Sequence, residues 1–195
     1  MSSSLSVMQS SLAESVAVKQ AYQSDPLAMG CLSRACECVL SCYRQGGKLL
    51  VAGNGGSALD AQHVVSELVN RFRLDRQPLP ALALTADNAI VTAIGNDYGY
   101  DEVFSRQVVA HGQPGDVFLG ITTSGQSGNV LAAARMARSL GLQVIGLTGA
   151  DGGALAALSD ICLCVPSTVT ARIQECHLLI EHVLCDYVEQ GLFGG

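Results

Sequence analysis

The sequence predicts an α/β fold: a doubly wound parallel sheet flanked by helices, preceded by an N-terminal helical hairpin. Three observations carry that expectation. Short apolar runs without alternation recur at 49–52, 81–84, 117–121, 144–147 and 161–165, the pattern of strands covered on both faces. Helical stretches separate most of them, which specifies a parallel sheet with helices on both sides. Segments rich in glycine and hydroxyls follow two of the runs, at the strand ends where open α/β sheets bind ligands.

Taken in order, residues 5–23 carry Leu5, Met8, Leu12, Val16 and Val18 at near-helical spacing, and 27–44 repeat the pattern until Gly46-Gly47 stops it. An α/β domain does not need two helices ahead of its sheet, and apolar helices placed there often pack on another subunit. Residues 1–46 are therefore expected to serve oligomerisation, and 47–195 to form the α/β core of a single domain. At 195 residues, 49% hydrophobic, the chain is long enough to bury one substantial core.

The first strand leads into Gly53-Asn54-Gly55-Gly56-Ser57 and then a helix. Glycines there let the backbone bend tightly, and the helix start offers unpaired N–H donors to an oxyanion. A plain tight turn accounts for the glycines equally well, and the segment is neither a Walker A loop nor a dinucleotide fingerprint. One turn further on, His63 and Glu67 stand four residues apart and share a helix face. They suit a base and a metal ligand, or simply an exposed helical pair.

Asn96-Asp97-Tyr98-Gly99-Tyr100 reads as a polar loop between Ile94 and Val103. The third run is followed by Thr122-Thr123-Ser124-Gly125-Gln126-Ser127-Gly128-Asn129 and a helix over 130–140. A hydroxyl N-cap explains one Ser or Thr but not four in six residues, so a phosphate cradle is the better reading. The last helix begins near Arg172 and reaches about Gln190, with Gln174, His177 and His182 as polar insertions in an apolar stretch. A core histidine bonded to a neighbour is the default reading for each imidazole.

A net charge of −6 without any Lys/Arg cluster argues against DNA or RNA and for a small-molecule partner. No run approaches a membrane span, and the N-terminus lacks a signal-type pattern, so a cytoplasmic location is expected. Eight cysteines in a chain with this much core read as reduced thiols rather than a disulfide framework. Cys31, Cys38 and Cys42 fall at helical spacing, and Cys162 and Cys164 share one strand face. A zinc site from Cys36 and Cys38 is disfavoured, because one intervening residue is too few and no second pair follows.

These motifs, taken together over nearly the whole chain, resemble those of the phosphoheptose isomerases of the sugar isomerase (SIS) fold family. The carriers are Gly53-Asn54-Gly55-Gly56-Ser57, Asp60-Ala61-Gln62-His63 with Glu67, Gly95-Asn96-Asp97, Thr123-Ser124-Gly125 with Ser127, and Arg172-Ile173-Gln174-Glu175 with His177 and His182. The resemblance implies an aldose–ketose isomerase acting on sedoheptulose 7-phosphate at the start of bacterial heptose biosynthesis, in a homotetramer with sites at subunit interfaces and one zinc per subunit. It assigns zinc to His63, Glu67, Gln174 and His182, and catalysis to Glu67 as base and His182 as acid. It assigns the sugar phosphate to Asn54, Gly55, Gly56, Ser57, Glu67, Asn96, Asp97, Thr122, Thr123, Ser124, Ser127 and Gln174.

Two other readings stay open at this stage. One is a non-catalytic SIS protein that binds a replication-initiation regulator, which tends to lose catalytic side chains; here His63, Glu67, Gln174 and His182 are all present. The other is isomerisation of a different phosphosugar. Geometry adds a constraint, since Gln174 and His182 lie eight positions apart, about 12 Å along a straight helix. Either the helix is irregular or one ligand comes from a neighbouring subunit.

Overall fold

A computed structural model of the chain describes residues 2–194. Its elements run α1 (Ser2–Ser24), α2 (Pro26–Arg44), β1 (Leu49–Gly53), α3 (Gly56–Val69), β2 (Ala81–Ala83), α4 (Asn88–Tyr98), a one-turn 3-10 helix (Tyr100–Glu102), α5 (Ser105–His111), β3 (Val117–Thr122), α6 (Gly128–Ser139), β4 (Gln143–Thr148), α7 (Gly153–Leu158), β5 (Ile161–Cys164) and α8 (Thr170–Phe193). All five strands pair in parallel, in the order β2-β1-β3-β4-β5. The expected doubly wound sheet is present.

Successive strand residues point to opposite sides, and both sides are covered, which is why the runs show no polar alternation. Leu49, Val51, Leu119, Ile121, Ile145, Leu147 and Leu163 meet α2, α3 and α8 on one face. Leu50, Ala52, Phe118 and Val144 meet α5, α6 and α7 on the other. Each large side chain buried there stabilises the fold by roughly 1.5–3 kcal/mol. Four of the thiols, Cys36, Cys42, Cys176 and Cys185, are buried and unbridged, and burial pushes Cys36, Cys42 and Cys176 up to about 11. They pack as small hydrophobes.

The N-terminal hairpin forms as expected, with Asp25 capping α2 through Leu27 N (2.8 Å) and Pro26 opening it. Its first helix is less buried than its spacing suggests. Leu5, Val7, Met8, Leu12 and Val16 are all exposed. Arg172 ties α1 to α8 by donating to Ser11 O (2.7 Å) and Ser11 Oγ (3.0 Å).

One expectation needs correction. Asn96, Asp97 and Tyr98 are the last turn of α4, not a loop. Asp87 starts that helix by accepting from Ala89 N and Ile90 N, and Gly99, at φ 90°, ends it. No residue of α4 is buried, so it is a surface helix whose polar end looks like a loop in sequence.

The segment between α3 and β2 is held by one carboxylate. Glu189 accepts from Phe72 N (3.0 Å), Arg73 N (2.7 Å) and Leu74 N (2.8 Å), and from Arg76 Nε (3.0 Å). Arg76 in turn donates to Leu68 O (2.7 Å) and Glu67 O (2.9 Å). Burial alone pushes the Glu189 carboxyl up; the three amides and the guanidinium more than reverse that and hold it low. Glu189→Gln leaves Arg76 buried and unpaired, and should lower unfolding free energy by about 3–5 kcal/mol at neutral pH, read from urea melts. Because the folded carboxyl is depressed, the contribution is complete above the ordinary value of 4.5 and fades as pH falls below it. The variant and the parent should converge in acid.

Candidate active site

The order β2-β1-β3-β4 sends the chain leftward from β1 and rightward from β3, which opens a crevice at their adjacent carboxyl ends. Both candidate turns lie there. Gly55, at φ 57° and ψ −121°, adopts a conformation that suits only glycine. Gly56 is needed for space, since a Cβ there would collide with the Gln174 side-chain amide. Gln174 thus lies against the β1 turn. Ser57 differs from expectation: it is buried against Gly53, with its N–H donating to Asn54 O (3.0 Å), and it closes the turn rather than facing a ligand.

A reciprocal amide pair clamps the two turns together. Asn54 Nδ2 donates to Asn129 Oδ1 (2.8 Å), and Asn129 Nδ2 returns a bond to Asn54 Oδ1 (2.9 Å). Tyr100 OH adds a third bond to Asn54 Oδ1 (3.0 Å). Asn129 is buried, and its own Oδ1 also accepts from Val130 N. Neither Asn129 nor Tyr100 was singled out from sequence as a site residue, because their partner lies far away in the chain.

The second turn presents hydroxyls. Thr122 Oγ1 lies 2.9 Å from Ser127 Oγ and 3.4 Å from Ser124 Oγ. Ser127 occupies the N-cap of α6, but its hydroxyl makes no capping bond, so it faces its neighbours instead. These hydroxyls cluster at the start of α6, where a helix N-terminus favours an anion. Thr123 and Ser124 also line a cleft of roughly 270 Å³ with Gly149, Gly152, Ser167 and Thr170. Sequence reasoning passed over those last four, although Gly149-Ala150-Asp151-Gly152-Gly153 after β4 carried the same glycine signal.

The acid–base end lies between α3 and α8. His63 Nε2 faces His182 Nε2 at 2.9 Å, and Glu67 Oε1 stands 3.7 Å from His63 Nε2. Phe72 tilts against His182, with ring centroids 5.5 Å apart. Behind them sit two carboxyls. Burial pushes Glu181 up to about 9, helped by Asp60, and Asp60 itself up to about 6, against the pull of His63. At neutral pH Glu181 keeps its proton. His177 is a core residue, its Nε2 donating to Thr148 O (3.1 Å) and its imidazole held down to about 4 by burial.

The structure does not bring every candidate together. Asn96 Nδ2 donates to Asp97 Oδ1 (2.8 Å) on the exposed end of α4, and among the described residues no hydrogen bond joins either to the turns. α8 is unbroken from Thr170 to Phe193. Gln174, at the β1 turn, is therefore two helical turns from His182 in the same chain. Among the described residues no three His, Cys, Asp or Glu side chains close into a metal cage.

The SIS domain family matches residues 17–149. The phosphoheptose isomerase of Aneurinibacillus thermoaerophilus is 48% identical over 186 residues, covering 95% of this chain and 94% of that one. The chain belongs to the phosphoheptose isomerase family. The Roseiflexus sp. (strain RS-1) phosphoheptose isomerase is 58% identical over 157 residues, 80% of each chain. A solved phosphoheptose isomerase from Francisella tularensis superposes with a TM-score of 0.91 at 46% identity, covering 96% of this chain and 98% of that one. This phosphoheptose isomerase family member thus shares the whole architecture, hairpin included, with enzymes of that name.

Gly56 offers a direct test of the site's construction. Gly56→Ala adds one methyl group where the Gln174 amide lies, and should displace that side chain while leaving the buried sheet intact. Isomerase kcat/KM should fall at least about tenfold, the order of one lost polar contact to a ligand. Thermal melting should stay within a few degrees of the parent.

Proposed function

We propose that this chain interconverts sedoheptulose 7-phosphate and D-glycero-D-manno-heptose 7-phosphate, the first step of bacterial heptose biosynthesis for lipopolysaccharide or related glycans, in the cytoplasm. The observation that carries the reading is the pairing of two chemistries in one chain: a hydroxyl-lined turn at a helix start, and His63, Glu67 and His182 converging between α3 and α8. A non-catalytic role is less well supported, because every side chain the reaction needs is present.

Moving a carbonyl from C2 to C1 requires a base at carbon and an acid at oxygen. Glu67 takes a proton from C1 of the ketose while His182 gives one to the C2 carbonyl oxygen, which yields the enediol. Returning a proton to C2 and removing the one on O1 completes the aldose. Thr122, Thr123, Ser124 and Ser127 hold the phosphate, and Asn54, Gly55, Gly56 and Gln174 hold the sugar, so that the reacting carbons present themselves to the acid–base end. Asn96 and Asp97 are proposed to join from the end of α4.

Zinc is assigned to His63, Glu67, His182 and Gln174; the His63 and His182 nitrogens lie 2.9 Å apart and Glu67 Oε1 3.7 Å from His63, although among the described residues of one chain these side chains do not close into a metal cage. A bound zinc would polarise the substrate carbonyl and hold these side chains in register. Gln174 cannot reach the same point along unbroken α8, so we assign the fourth position to Gln174 of a neighbouring subunit. That assignment fits a homotetramer assembled through α1, whose apolar side chains are exposed in the single chain.

The direct test is turnover of sedoheptulose 7-phosphate by the purified protein, with other ketose phosphates as controls; a protein that turns over only the controls is an isomerase of a different sugar. Glu67→Gln, shown folded and still metal-loaded, should lose about 10²–10⁴ in kcat with substrate binding largely retained. Wild-type exchange of the substrate's C1 proton with solvent in that variant removes Glu67 as the base. Deleting residues 1–24 should shift sedimentation to smaller species. An unchanged assembly sinks the role given to α1.

A further inference from the structure

Two thiols that the isomerase reaction does not use sit together on the edge strand. The β4–β5 register pairs Thr148 with Cys164 and Gly146 with Cys162, so Thr148, Cys162 and Cys164 project from one face. Gly146 lets Ser159 Oγ, Leu155 and Cys162 Sγ pack against the strand, since a Cβ in its place would stand 2.6 Å from Ser159 Oγ and 3.3 Å from Cys162 Sγ. The two sulfurs are 3.6 Å apart, and Thr148 Oγ1 is 3.6 Å from Cys162 Sγ and 3.5 Å from Cys164 Sγ. Both cysteines are half-buried, not sealed in the core.

The two sulfurs, 3.6 Å apart, are close enough to share one thiophilic ion at about 2.3 Å from each. A disulfide suits the pair poorly, since residues two apart on a strand are about 6.6 Å apart and disulfide Cβ atoms need roughly 3.5–4.5 Å. The Thr148 hydroxyl is a donor shared between Gly149 O (3.2 Å) and Cys164 Sγ (3.5 Å), and so supports the sulfur pair from one side.

We propose that Cys162 and Cys164, beside Thr148, form a chelating site for a thiophilic cation, copper(I), separate from the isomerase centre. Paired thiolates favour soft ions of this kind. On binding, the two thiols release their protons to solvent and two sulfur–copper bonds form; copper enters and stays as copper(I), and no electron is transferred. The contact between the sulfurs lowers the Cys164 thiol below its ordinary value and raises the Cys162 thiol above its own.

The site adjoins the hydroxyl turn. A Cβ on Gly152 would meet Cys164 Sγ at 3.3 Å, and the Gly152 carbonyl fills the place a Cβ on Gly125 would take, next to Ser124. An ion on the thiols presses on Gly152 and through it on Gly125. Occupancy should therefore raise KM for the sugar phosphate, an effect that, unlike the site itself, rests on the reading of Ser124 as a phosphate holder.

The test is an anaerobic competition between the assembled protein and a chromogenic copper(I) chelator. Wild type should withhold about one copper per chain more than Cys162→Ser/Cys164→Ser, while Cys31→Ser/Cys38→Ser should match wild type. Equal retention by wild type and the Cys162/Cys164 variant overturns the proposal. X-ray absorption on wild type with one equivalent of copper needs no variant to fold: two sulfur neighbours are expected, and nitrogen neighbours alone overturn the site. Copper should raise KM at least threefold in wild type and not in the double variant; an equal rise in both overturns the coupling. An unchanged KM in copper-free Ser124→Ala would instead sink the phosphate reading, with copper retention unaffected.

Discussion

The adjacency of β1 and β3 at the centre of the sheet is the constraint on which the site depends. Their parallel register runs from Leu49 opposite Val117 to Gly53 opposite Ile121, so both strands end at the same level. Their crossovers then leave in opposite directions, α3 to one face and α6 to the other. Two helix starts are thereby brought side by side without either helix having to bend. The Asn54–Asn129 amide pair spans this gap, with both amides bonded in both directions. A buried pair so satisfied fixes one separation between the turns.

Much of this was legible in the chain itself. The five strands could be read because both faces of the sheet are covered, which removes the alternation that would have blurred their limits. His63 and Glu67 could be read from spacing alone, and their approach to 3.7 Å follows from helix geometry. The hydroxyl turn could be read from composition, and the Ser127 hydroxyl, which bonds Thr122 Oγ1 instead of capping α6, is what distinguishes it from an ordinary cap.

What escaped the sequence did so for physical reasons. α4 ends in Asn96, Asp97 and Tyr98, whose polarity suits a loop as well as the end of a surface helix that touches the core only through Val91 and Ile94. Asn129 has no local signature, because its partner is in another turn of the sheet. Asp60 and Glu181 are ordinary acidic residues in sequence, and only burial makes them resist ionisation. Ser57 lies in a segment whose composition suggests a ligand, yet the tightness of the turn at Gly53 folds it inward. The family resemblance proposed the functional positions as a group, but it carried no information on which of them one subunit brings together.

α8 gives the site a property that follows from its lack of any break. Gln174 at the β1 turn and His182 beside His63 ride on one continuous rod, with Ile173, Cys176, Ile180, Leu184 and Cys185 fastening it to the core between and around them. Their relative freedom was given up when the chain folded. A ligand arriving at one end meets the other already in place, so little orientational entropy remains to be lost on binding. The turn at 149–152 is drawn into the same frame, since Gly149 packs against Ile173 of that rod, so the cleft wall beside the hydroxyl turn is set from α8 as well.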